Sequence, residues 1–171
     1  MKSGEAVRIE LEGRADAADL RAVYTSDFAS LVRLATALVG SPALGEELVQ
    51  DTFARILERP PRLIAAEKMP AYVRKAVVNA SRSKVRRIVL ERKHLKAERP
   101  VDESTNGPDH ELRAALMELP VRQRQCVALR FYDDMTVEQI AEVLGVSAGS
   151  VKTHLHRGLQ RLRHTLGEEG L

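Results

Sequence analysis

The sequence predicts an all-α protein made of two small helical domains joined by a flexible linker. Apolar residues recur at helical spacing in both halves of the chain, whereas no segment alternates apolar and polar residues convincingly enough to be a strand. Between the halves, Glu98 to Pro108 carries Pro100, Asp102, Ser104, Thr105, Asn106 and Gly107 and offers no stripe of apolar anchors. The expected divisions are a flexible extension over residues 1–20, a helical domain over 21–96, a linker over 97–108 and a second helical domain over 109–171.

Each element has its own signals. The first twenty residues, with Gly4 and Gly13, show no sustained periodicity. From Tyr24 the pattern sharpens, and Tyr24, Phe28, Leu31, Val32, Ala35, Leu38 and Val39 form a helical stripe. Gly40-Ser41-Pro42 ends that helix and starts the next, because Ser41 can cap and Pro42 suits a first helical turn. Leu48, Val49, Phe53, Ile56 and Leu57 are expected to face the core from the second helix, which Pro60-Pro61 terminates. A third helix begins near Met69-Pro70 and runs to about Lys96.

The second domain contains the most informative stretch, Met135 to Arg157. Thr136 can cap a helix and Gln139, three residues on, completes a capping box. Ile140, Ala141 and Leu144 supply its apolar face, and Gly145 stands where the chain must turn. Ser147 is the next cap, opening a helix expected to bury Val151, Leu155, Leu159 and Leu162. The opposite face presents Ser150, Lys152, Thr153, His156, Arg157 and Gln160, and no acid occurs between Ala148 and Leu166. This reads as a helix-turn-helix whose second helix hydrogen-bonds bases or phosphates. The alternative is an ordinary pair of packed surface helices.

Charge is segregated, so the net +3 understates the basic character. The helix from Leu44 to Glu58 carries Glu46, Glu47, Asp51 and Glu58 against Arg55 alone, whereas ten Lys and Arg side chains face only Glu91 and Glu98 between Arg74 and Arg99. Such a basic helix attracts a polyanion with salt-sensitive affinity; a solvated face and a membrane-surface helix are the alternatives. The short apolar run at Val85, Ile88, Val89 and Leu90 lacks aromatic anchors for a membrane.

Other classes find less support. The single cysteine, Cys126, excludes an internal disulfide framework and a cysteine-based zinc site, and its apolar neighbours make it a buried structural thiol. No apolar run looks long enough to span a bilayer and no signal-peptide core is evident, so the cytoplasm is the expected location. None of His94, His110, His154, His156 and His164 falls in a metal-binding or acid–base pattern. Glu46-Glu47 and Asp133-Asp134 read as solvated acids. No catalytic residue, metal or cofactor is expected.

Taken together, the two domains resemble a small alternative sigma factor of bacterial RNA polymerase, of the extracytoplasmic-function type within the sigma-70 family. Leu44-Gly-Glu-Glu-Leu-Val-Gln-Asp-Thr-Phe-Ala-Arg-Ile56 is similar to the helix with which that family docks on the clamp helices of the largest polymerase subunit. The resemblance implies docking roles for Glu47, Gln50, Asp51 and Phe53. Ala71 to Arg87 resembles the helix that recognises and melts the −10 promoter element, which implies such roles for Tyr72, Arg74, Lys75, Asn79, Arg82 and Arg86. The Ile64 to Tyr72 stretch is expected to form the pocket for an extruded base.

Leu119-Pro-Val-Arg-Gln-Arg-Gln125 with the helix-turn-helix resembles the region that reads the −35 element and meets the flap of the second-largest subunit. The first domain then corresponds to sigma region 2 and the second to sigma region 4. Family members are often held by an anti-sigma protein, which makes one a candidate partner.

The sequence departs from the family pattern in places. Tyr72 stands where Trp is usual, Asp134 where Gly is common, Ser150 for Thr and Gly158 for Ala, the last expected to cost roughly 1 kcal/mol of helix stability. Val151-Lys-Thr-His-Leu155 also resembles the output domain of response regulators, but the N-terminal half shows no strands from which a receiver could be built.

Overall fold

A computed structural model describes residues 16–61, 64–95 and 108–167. Seven α-helices follow one another among them, with no β-strand: α1 (Ala17–Val39), α2 (Pro42–Glu58), α3 (Met69–Leu95), α4 (Pro108–Glu118), α5 (Val121–Tyr132), α6 (Val137–Leu144) and α7 (Ala148–Leu166). A short 3-10 turn, Ala66–Lys68, leads into α3. The predicted extension as far as residue 15 and the predicted linker as far as residue 107 lie outside the described residues.

α1 starts well before Tyr24, because Asp16 caps it. The Asp16 carboxylate accepts from the backbone N–H of Ala18 and Asp19, and Asp19 accepts from the N–H of Asp16. That turn brings Leu20 and Val23 into the core, so the helical domain reaches into what the sequence left as extension. The helix ends at Gly40, whose φ of 84° is left-handed and whose N–H bonds to Thr36. Ser41 then caps α2 through its hydroxyl, with Pro42 in the first turn.

α1, α2 and α3 pack around a first core of Leu31, Ala35, Val39, Val49, Phe53, Val73 and Val77. Along its C-terminal half α1 is apolar on a second side too. Leu34, Ala37 and Leu38 join Val78 of α3 in a cluster with Ala115 and Leu116 of α4, Leu119, and Cys126, Val127, Ala128 and Leu129 of α5. Two-sided burial explains its composition: α1 is long and apolar enough to cross a membrane, at a mean hydropathy of 1.2 in its most apolar window, contrary to the expectation from sequence. Here that apolarity lies between two helical layers.

The second core is built by α4 to α7. Thr136 and Gln139 form the capping box on α6: the Thr136 hydroxyl accepts from Gln139 N–H at 3.2 Å and the Gln139 carbonyl oxygen accepts from Thr136 N–H at 2.8 Å. Gly145 adopts φ 64° at the turn, and Ser147 caps α7 by accepting from Ser150 N–H. Arg122 of α5 donates to the carbonyl of Leu144, and Arg130 donates to that of Met135. Both ends of α6 are therefore held by α5 side chains.

Candidate nucleic-acid interface

α7 turns two faces to two environments. Val151, Gly158 and Leu162 are buried against the second core, with Leu155 and Leu159 only half-buried. The expected stripe of Val151, Leu155, Leu159 and Leu162 is thus corrected at its two middle leucines: Gly158, counted only as a weakness of the helix, is buried against α5. A Cβ on Gly158 would lie 2.9 Å from Cγ2 of Val127, so its absence lets the helices approach.

On the opposite face Lys152, Thr153, His156, Arg157 and Gln160 are all exposed, as the spacing predicts. Ser150 is half-buried, and its hydroxyl is paired with Ser147 at 2.9 Å, which gives it a capping role before any role toward a ligand. Thr153 donates its hydroxyl to Gly149 but keeps lone pairs free to accept. With the capped N-terminus adding partial positive charge, this face suits an anionic groove.

A second basic surface runs along α3. Lys75, Asn79, Arg82 and Arg86 are exposed at spacings of four, three and four, so they form one stripe. Two other residues expected beside them behave differently. Tyr72 is half-buried against the first core, so its ring is partly committed to packing. Arg74 forms an ion pair with Asp133 at the end of α5. Asp133 is therefore not a solvated acid. Burial pushes its carboxyl above the usual carboxylate range, and the Arg74 guanidinium opposes that shift. A carboxylate beside a chain turn gives no sequence signal of a partner so distant along the chain.

The acidic face of α2 is exposed at Glu46, Glu47, Gln50 and Asp51. Gln50 donates to Glu46 at 3.1 Å, and Lys84 of α3 donates to Glu47 at 2.8 Å, which holds the Glu47 carboxyl below its ordinary range. Phe53 faces the core as its place in the helical stripe predicts, 6% exposed and edge-on to Tyr24, which leaves little of it at the surface for the docking role that the resemblance implies. Leu57, expected to face the core with it, is instead 60% exposed. The Ile64 to Tyr72 stretch, expected to form the pocket for an extruded base, includes the 3-10 turn and the start of α3. A cavity of about 160 Å³ lies between α2 and α3, lined by Asp51, Arg55, Lys84 and Arg87 among others.

The chain is similar to known proteins along most of its length. Residues 109–162 match the family described as Sigma-70, region 4. The RNA polymerase sigma-E factor of Streptomyces coelicolor is 36% identical over 143 residues, 80% of either chain. The ECF RNA polymerase sigma factor SigL of Mycobacterium tuberculosis is 31% identical over 174 residues, 96% of this chain and 98% of that one. Among solved structures, the sigma factor RpoE of Bartonella quintana, in complex with the anti-sigma factor NepR, superposes with a TM-score of 0.70 at 21% identity. The match covers 86% of this chain and 96% of that one.

Proposed function

The chain belongs to the extracytoplasmic-function sigma factors of the sigma-70 family, and from that premise we propose how its residues direct RNA polymerase to promoters. It is an alternative sigma factor: it binds core polymerase and brings it to specific promoters.

α7 enters the major groove at the −35 element, where Lys152, Thr153, His156, Arg157 and Gln160 reach base edges and phosphates. The observation that carries this is the exposed, acid-free face on a helix whose N-terminus is capped and free. Ser150 supports the start of that helix. The α3 stripe of Lys75, Asn79, Arg82 and Arg86 holds the separated strand at the −10 element. Asn79 offers both a donor and an acceptor to an unstacked base.

The acidic face of α2, with Glu47, Gln50 and Asp51, docks on the clamp helices of the largest subunit. Residues 21–96 and 109–171 then act as sigma regions 2 and 4 across the 97–108 linker, and region 4 meets the flap of the second-largest subunit. Chemistry stays with the polymerase, so the chain itself is no enzyme and works where the polymerase does, in the cytoplasm. Because the solved relative is held by an anti-sigma factor, a protein of that class is a candidate partner here.

The test is promoter selection by reconstituted holoenzyme across a randomised −35 library. Lys152→Ala and Arg157→Ala should each relax preference at one position, at a cost of about 1–3 kcal/mol. Arg163→Ala should weaken binding evenly and flatten its salt dependence. Selection identical to wild type in both of the first two variants would remove this face from the role.

A further inference from the structure

Apart from Asp51, no residue lining the cavity between α2 and α3 belongs to either proposed nucleic-acid face or to the docking face. The lining is also unbalanced in charge. Arg55 of α2 and Lys84 and Arg87 of α3 stand against a single carboxylate, that of Asp51. All three cations have donors to spare. The Lys84 side chain is only 11% exposed and gives one of its three N–H donors to Glu47. Arg87 meets Glu91 at 3.5 Å, but both side chains are more than half exposed, so water competes for that pair. Among the described residues none pairs with the Arg55 guanidinium.

The hydroxyls divide in the same sense. Ser83 is exposed and free to donate, whereas Thr52 spends its proton on the Leu48 carbonyl at 2.7 Å. The small side chain of Ala80 leaves the space between the helices open. The cations already act on a neighbour: Lys84 first, and Arg87 more weakly, hold the Glu47 carboxyl below its ordinary range.

Two observations separate this cavity from the strand-binding stripe. At about 100° per residue, Ala80, Ser83, Lys84 and Arg87 centre about 120° around α3 from Lys75, Asn79, Arg82 and Arg86. The cavity also borders Glu47 and Asp51, the exposed acids of α2. A long polyanion laid through it would run against those carboxylates, and a small anion would not. Its volume of about 160 Å³ is about the share of five waters, which suits one or two phosphoryl groups without a nucleoside.

We propose that this cavity binds a small phosphate-bearing anion, whose phosphoryl oxygens accept from Arg55, Lys84, Arg87 and Ser83. Two guanidinium forks and an ammonium match the several oxygens of a phosphoryl group. Because the donors come from both helices, the bound anion fastens α2 to α3. Asp51 opposes it and limits the affinity.

Calorimetric titration of the full chain with pyrophosphate, at fixed ionic strength and without divalent cations, is the test. One anion should bind per chain, and saturation should raise the melting temperature. Arg55→Gln and Arg87→Gln should each weaken binding about ten-fold. Asp51→Asn should tighten it several-fold. Arg82→Gln, an equal loss of charge on the other side of α3, should leave it unchanged, and a single-stranded oligonucleotide should not displace the anion. No binding by the wild-type chain, a loss in Arg82→Gln as large as in Arg55→Gln, or displacement by the oligonucleotide overturns the proposal. None of these readouts involves polymerase, so the sigma-factor reading is judged separately by promoter selection.

Discussion

Two glycines on α7 give opposite predictions for the same substitution. Gly149 stands one residue inside the helix, and a Cβ there meets only Ser147 Oγ at 3.9 Å. Gly149→Ala therefore gains helix propensity with no steric cost, and should stabilise by about 0.5–1 kcal/mol. At Gly158 the same gain of about 1 kcal/mol is opposed by packing. The added Cβ meets Val127 Cγ2 at 2.9 Å, Gln123 Cβ at 3.5 Å and Gln123 O at 3.6 Å. Val127 is β-branched and 4% exposed, so it has one torsion to turn and nowhere to turn it.

Overpacking of this kind costs about 1–3 kcal/mol, which leaves Gly158→Ala neutral to about 2 kcal/mol destabilising. Urea unfolding of the full chain followed by circular dichroism resolves a difference of that size. Adding Val127→Ala to Gly158→Ala should cost less than the sum of the two single changes, because the methyl that clashes is removed. A Gly158→Ala variant as stable as Gly149→Ala would refute the close-approach argument outright.

Two further outcomes follow from local geometry. Asp134 adopts φ 49°, a left-handed conformation at the position where the family commonly has Gly; Asp134→Gly should raise the melting temperature, with a gain of up to about 1 kcal/mol after its extra unfolded-state entropy is counted. Cys126 is fully buried and its thiol is pushed up to about 11 by desolvation, which lowers the thiolate fraction at pH 8 about 100-fold; alkylation should be at least that much slower in the native chain than in denaturant.

What was legible in the sequence was whatever depends on neighbours along the chain. The Ser41-Pro42 start of α2, the Thr136 and Gln139 box, the Gly145 turn and the Ser147 cap are all contacts within four residues, and each forms as the local rules require. Helical periodicity placed Lys152, Arg157, Asn79 and Arg82 on exposed faces for the same reason. It could not distinguish Phe53 from Leu57, which lie one turn apart on the same stripe. One packs edge-on to Tyr24 in the first core and the other stays at the surface. Nor could it foresee that α1 serves two cores, since a helix apolar on two sides reads alike whether its neighbours are helices or lipid. Gly158 and Asp133 were misjudged because their roles rest on Val127 and Arg74, side chains brought close only by the fold.

The pairing of Arg74 with Asp133 bears on how the two helical units are held together. Desolvation disfavours the charged carboxylate, while the guanidinium beside it favours that form, so the two effects oppose each other. A partly buried pair of this kind contributes little net stability but is costly to leave half-made. Its larger effect is on register: of the ways the second unit could slide over the apolar α1 face, the seated one returns both charges to a partner. Apolar burial at Leu34, Leu38 and Leu116 then supplies the attraction, and the ion pair selects the arrangement.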